Sequence, residues 1–370
     1  MKKMTTGIAA LLMGTAPALA GGIERAPQSL AALFEPGNYA ELSFGGADPT
    51  VSGTDAAGFD TGDVAQGYGF VGLAYKQEVS PNVSFGVIVE QPFGADVRYP
   101  DGPPAGSGSP VLGGTAARVD STTVTALARY RMDNNISFHG GIRASRADAE
   151  VTLSGAGYGD ISGYNVRMDP SWGTGYVIGA AYEIPDIAAR ISLTYNSKIT
   201  HDFDTRENIL PGAVTTTEVN TPRSITLEGQ TGVAADTLVF GSIRWVKWSE
   251  FQVRPAEFSS LPGLSAGLVS LEDTTTYTLG VGRRFTDNWS GLAAFVYEPT
   301  GDDLVSPLAP TNGRKGVTLA AIYTMDNIKI TTGINYSKLG DARPQTGGAP
   351  RAQMEDSDLW GIGVRVGYSF

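Results

Sequence analysis

The chain has no cysteine, which excludes disulfides, thiolate nucleophiles and thiolate metal sites. Two histidines, His139 and His201, are present in 370 residues. Charge is sparse at 18% of residues, against about 25% in ordinary domains. The 27 basic residues are outnumbered by 38 acidic ones for a net charge of −11, and a nucleic-acid binder, which needs a basic footprint, is excluded. Beyond the first twenty residues no run of about twenty apolar residues occurs. The least charged stretch, 102–117, is broken by Pro103, Pro104 and Pro110, so a helical membrane protein is excluded too. What is abundant is glycine, 48 residues, roughly twice the usual share of about 7%. Each would cost about 1 kcal/mol inside a helix. The length suggests two or three domains at about 150 residues each, but all-β barrels run longer as one unit.

Residues 1–20 read as an export signal, with Lys2 and Lys3 as the charged start, Ile8 to Met13 as the apolar centre and Ala18-Leu19-Ala20 as the cleavage site. The mature chain is expected to begin at Gly21. An exported chain without an apolar helix has one way of spanning a membrane, the closed β-barrel, in which every backbone hydrogen bond is made between strands.

The C-terminus supports that option. From Trp360 to Phe370 all six even positions are large and apolar or aromatic, and every odd one is Gly, Arg or Ser, a period of two. Trp360 at one end, with Tyr368 and Phe370 at the other, fits the aromatic girdles of a barrel whose apolar band is about 25 Å tall. A final aromatic residue also resembles the signal by which bacterial outer-membrane barrels are recognised for assembly. The alternation recurs at Ile328, Ile330, Ile334 and Tyr336, at Tyr277, Leu279 and Val281, and at Ile191, Leu193 and Tyr195.

Turn signals divide the chain. Short polar turns stand at 80–82, 133–135, 185–186, 234–236, 286–288 and 326–327, alternating with long connections at about 48–67, 100–114, 154–172, 203–220, 257–273, 299–314 and 339–356. Thirteen connections join fourteen strands, with both ends on the short-turn side, as in outer-membrane barrels. The expected fold is all-β: a 14-stranded antiparallel transmembrane barrel over residues 38–370, preceded by a short N-terminal plug over 21–37.

Three patches go further. Thr221-Pro222-Arg223-Ser224-Ile225 and Trp245-Val246-Lys247-Trp248-Ser249-Glu250-Phe251 resemble segments of the FadL/TodX family of outer-membrane transporters for hydrophobic compounds. Phe85 to Gly94, ending Pro92-Phe93-Gly94, is similar to that family's kinked third strand, and Leu33-Phe34-Glu35-Pro36-Gly37 to the segment in which it carries Asn-Pro-Ala. The resemblance implies diffusion of fatty acids or aromatic hydrocarbons through a plugged lumen, leaving sideways at the kink.

The residues allow that chemistry. Pro92 lacks a ladder donor and must fall at a bulge or a break in pairing; Phe93 and Gly94 beside it offer an apolar lip and a yielding backbone. The plainer alternative is a tolerated proline near the rim. Leu30, Leu33 and Phe34, spaced i, i+3 and i+4 after Ser29, fit one face of a short helix inside the lumen, with Glu35, Pro36 and Gly37 leading into the first strand; a disordered leader is the alternative. A fatty acid needs a cation, since burying its carboxylate unpaired is expensive. By parity Arg143, Lys198, Lys329 and Arg365 point inward, each either a ligand contact or the partner of an internal carboxylate. The loop carrying Phe258, Leu261, Leu264, Leu268 and Leu271 is apolar enough to be a capture site, or else folds inward.

Enzyme readings fare worse. Gly67-Tyr68-Gly69-Phe70-Val71-Gly72 matches a nucleotide-loop pattern but opens a strand with no helix after it. A barrel protease using His201 with Asp202 and Asp204 is the enzyme alternative, and no nucleophile elbow or zinc-protease motif occurs. No cofactor or metal is expected. The partners expected are a hydrophobic small molecule, outer-membrane lipid and lipopolysaccharide, and the barrel-assembly machinery through Phe370, for a monomer in the bacterial outer membrane. A general diffusion porin and a structural or adhesive barrel are the other readings.

Overall fold

The computed structural model describes residues 22–26 and 28–370; the export signal and its cleavage site lie outside the described residues. Fourteen antiparallel strands follow in order: β1 (Tyr39–Asp55), β2 (Tyr68–Ser80), β3 (Val83–Glu90, continued by Gly94–Arg98), β4 (Ala116–Arg131), β5 (Ile136–Leu153), β6 (Tyr164–Ile184) and β7 (Ala189–Asn196, continued by Ile199–Glu207). The remainder are β8 (Thr215–Thr221, continued by Ser224–Ala234), β9 (Thr237–Val246), β10 (Thr274–Arg284), β11 (Trp289–Glu298), β12 (Arg314–Met325), β13 (Ile328–Leu339) and β14 (Ala352–Ser369). Phe44 of β1 lies opposite Val71 of β2 on one side and Val364 of β14 on the other, so the sheet closes on itself. Closure removes the free edges that lipid could not hydrogen-bond.

Period two places the side chains. Trp360, Ile362 and Tyr368 of β14 face outward and are exposed, whereas Gly361, Gly363, Arg365 and Gly367 between them are buried. Aromatic pairs mark the two ends of the apolar band: Tyr336 with Trp360 at 4.8 Å above, Trp289 with Tyr323 at 4.9 Å and Tyr368 with Phe370 at 5.7 Å below. The short turns fall where Asn and Asp stand, and Asn135, Asp236 and Asp326 take positive φ of 68°, 57° and 51°, which those side chains tolerate. The long connections are shorter than composition suggests. Paired strand continues to Leu153, resumes at Tyr164, and continues to Glu207 and from Thr215, because hairpins above the bilayer need no apolar face.

Two adjacent strands break together. Asn196 pairs with Ser224 and Ile199 with Thr221, leaving Ser197-Lys198 opposite Pro222-Arg223. Pro222 cannot donate to the ladder, and the extra residue on each strand reverses which face every later side chain takes. Below the break Ser192, Thr194 and Asn196 are buried; above it Ile199, His201, Phe203 and Thr205 are.

Candidate functional site

The third strand deforms where its sequence predicts. Between the pairs Glu90↔Thr123 and Gly94↔Asp120, Gln91, Pro92 and Phe93 of β3 face Ser121 and Thr122 of β4, a bulge of one residue. Towards β2 the ladder stops at Leu73↔Val89 and returns as the isolated bridge Ala65↔Val97. Within the interval the Val71 N–H donates to the Gln91 side chain at 3.1 Å. The bulge turns Phe93 inward until it is 3% exposed, edge-on to Trp248 at 5.8 Å, and Ser121 Oγ holds it by donating to its carbonyl at 2.6 Å and accepting from its N–H at 3.1 Å. Gly94 leaves room for Arg25, whose guanidinium a Cβ there would approach to 2.4 Å.

Phe93 forms one wall of an apolar cavity of about 60 Å³. Ala95, Phe203 and His201 continue the wall, and Ile23, Phe251 and Leu308 arrive from the N-terminal segment and the long loops. Leu308 sits in a connection whose composition gives no hint of this role. The loop after β9 supplies the roof. Phe258 and Leu271 are buried, and Leu264 and Leu268 are half-buried against the same cluster, with Leu261 also partly covered. The loop turns these side chains towards the cavity, because water does not solvate five large apolar side chains as well as the cavity rim does.

Residues 22–26 and 28–37 lie inside the wall. At the level of the kink Gly94 donates to the Ile23 carbonyl at 2.8 Å, Arg25 N–H to the Pro92 carbonyl at 2.8 Å, and Glu24 pairs with Arg244 at 2.5 Å. Lower down, Leu30, Leu33 and Phe34 are buried around a 3-10 turn, Ala31–Phe34, with Ser29 Oγ accepting from Ala31 N–H at 3.2 Å. Arg129 and Arg190 stand over the Phe34 ring at 4.6 and 4.3 Å. Glu35 is buried and pairs with Lys329 at 2.7 Å. Lys76 donates to the carbonyls of Glu35 at 2.5 Å and Gly37 at 3.0 Å, and Pro36 and Gly37 are exposed at the mouth. These anchors come from strands scattered around the barrel, a set that no local motif announces.

The four candidate cations separate. Arg143 is 2% exposed and its Nη2 has no hydrogen-bond partner, with Glu90, Glu24 and Arg244 near enough to act on it electrostatically. Lys329 is taken by Glu35, and Arg365 lies 3.2 Å from Glu41. Lys198 is a correction: it is exposed on the outer face, because the break at Ser197-Lys198 reverses the parity that would have turned it inward. The alternation of the strand separates His201, buried at the cavity, from Asp202 and Asp204, exposed on the other face, so these three do not form a relay.

The fold is shared with solved channels. A Pseudomonas aeruginosa FadL homologue superposes with a TM-score of 0.73 at 17% identity over 97% of this chain and all of the other. The Pseudomonas putida toluene transporter TodX does so at 0.63 with 14% identity over 92% and 91%, and the Ralstonia pickettii toluene transporter TbuX at 0.61 with 13% over 92% and 91%. A comparison with curated proteins finds no match. The family model for outer membrane protein transport proteins (OMPP1/FadL/TodX) matches residues 40–370, and the chain belongs to that family of outer-membrane transporters.

Proposed function

We propose that the protein takes up hydrophobic compounds, long-chain fatty acids or aromatic hydrocarbons, by passive diffusion across the bacterial outer membrane, as a monomer inserted through Phe370 and surrounded by lipid and lipopolysaccharide. In this reading the N-terminal segment over 21–37 is the plug, and the seam between β2 and β3 at Pro92-Phe93-Gly94 is the lateral exit. The observation that carries it is a coincidence of place: the ladder is interrupted where Phe93 leaves the wall to line the apolar cavity. A molecule in that cavity is one side chain away from the bilayer. Arg25, Arg129, Arg244, Lys329 and Arg365 are occupied by Asp120, Glu183, Glu24, Glu35 and Glu41, whereas Arg143 is buried with its Nη2 unpartnered and in this reading meets a fatty-acid carboxylate. A hydrocarbon would need no such partner.

A general diffusion porin requires a water-filled bore, and Leu30, Leu33 and Phe34 stand in this one. The deciding experiment is uptake of labelled oleate and toluene by cells carrying the wild type or Pro92→Val with Gly94→Val at matched surface levels. The expected result is a several-fold loss in the double variant; equal uptake would remove the seam as the route.

A further inference from the structure

The cavity behind Phe93 has a polar feature that neither transport of hydrocarbons nor of fatty acids uses. His201 lines it, 1% exposed, with its ring stacked on Phe203 at 5.6 Å. Nδ1 lies 3.3 Å from the carbonyl oxygen of Ser171. A carbonyl only accepts, so the hydrogen of the neutral ring sits on Nδ1 and the far nitrogen, Nε2, is left as a bare acceptor. Nε2 is buried without a partner.

The other uncharged polar groups of the lining are already committed. Ser121 Oγ donates to the Phe93 carbonyl at 2.6 Å, and Thr221 Oγ1 donates to the carbonyl of Ile199 at 3.3 Å. Asp148 is partly exposed and pairs with Arg146 at 3.8 Å. A buried acceptor without a donor carries a desolvation penalty that a ligand carrying one hydroxyl would lift. A carboxylate brings no hydrogen at neutral pH and would face the lone pair of Nε2, and a pure hydrocarbon would leave the nitrogen as it is. The surrounding Phe93, Phe203 and Phe251 rings suit an aromatic body.

We propose that His201 makes this cavity selective for phenols, with the ligand O–H donating to Nε2 and the ring held among the phenylalanines. The inference rests on the transport reading above and narrows its substrate class. It is tested on the purified full chain in detergent micelles at pH 7 by sealed equilibrium dialysis with radiolabelled p-cresol and toluene, each corrected for partition into protein-free micelles. The wild type is expected to prefer p-cresol. His201→Phe should lower the p-cresol to toluene ratio about five-fold, the size of one neutral hydrogen bond, and His201→Gln, whose amide oxygen still accepts, should restore most of it. A ratio that His201→Phe leaves unmoved would overturn the proposal, as would a wild type that binds both ligands without preference. A wild type that binds neither would overturn the cavity's role in transport as well.

Discussion

Glu35 shows how much of the lumen depends on single residues. It is buried and ion-paired to Lys329, while its backbone carbonyl accepts from Lys76, so one side chain and one peptide group tie the N-terminal segment to β13 and β2. Breaking a buried pair from one side leaves the other charge uncompensated, typically at about 3–5 kcal/mol. Glu35→Gln should therefore loosen the segment. In planar bilayers it is expected to show frequent ion-conducting bursts where the wild type stays closed; a quiet trace from Glu35→Gln would mean that the segment is held by packing alone. The apolar half of this arrangement was legible in the sequence, since Leu30, Leu33 and Phe34 are neighbours along the chain with a helix-like spacing. The ionic half was not, because Lys76, Arg129 and Lys329 are brought together only by strand register across the barrel.

At the scale of elements, the roof loop is the part whose behaviour departs most from its surface-loop composition. Leu268 packs against the cavity cluster while Arg254 in the same connection is exposed. Replacing Leu268 with Asp would bury an unpaired carboxylate, which is expensive enough that the loop should lift rather than accept it. Chymotrypsin is then expected to cut after Leu264, half-buried in the same loop, several-fold faster in proteoliposomes of Leu268→Asp than of wild type, and equal rates would show that the loop is not held down by its apolar face. Strand parity was readable wherever one strand keeps one phase, as in β10, β13 and β14. It failed in β7, where Ile191, Leu193 and Tyr195 set a phase that the break at Ser197-Lys198 reverses. The signal that could have warned of this is Pro222, but it lies on the neighbouring strand, and only the pairing of Thr221 with Ile199 connects the two. Pro92 was legible for the opposite reason: its bulge and its consequence are on the same strand.

For the whole molecule, the alternation of short turns with long loops was enough to count fourteen strands, because each hairpin is a local event and closure needs only an even number of them. What closure implies energetically can be measured. Val364 shares the outward parity of Trp360 and Tyr368 and lies midway between these aromatic ends of β14, where an arginine costs roughly 2–4 kcal/mol near the bilayer midplane. Val364→Arg should lower stability in reversible urea unfolding from liposomes by about that amount, whereas a change near zero would place this position outside the hydrocarbon.

The coupled interruption of β7 and β8 has a consequence for how this wall tolerates change. Because Ser197-Lys198 and Pro222-Arg223 sit opposite each other, the inversion of inside and outside is a property of the hairpin rather than of either chain segment. Losing one residue from a single partner would set its outer part out of phase with its neighbour, while losing one from both would keep them in step and turn the cavity-facing residues of that hairpin, His201 and Phe203 among them, out to the surroundings. The pair of strands can lengthen or shorten only as a unit, and each such step would trade the lining of the chamber for its exterior.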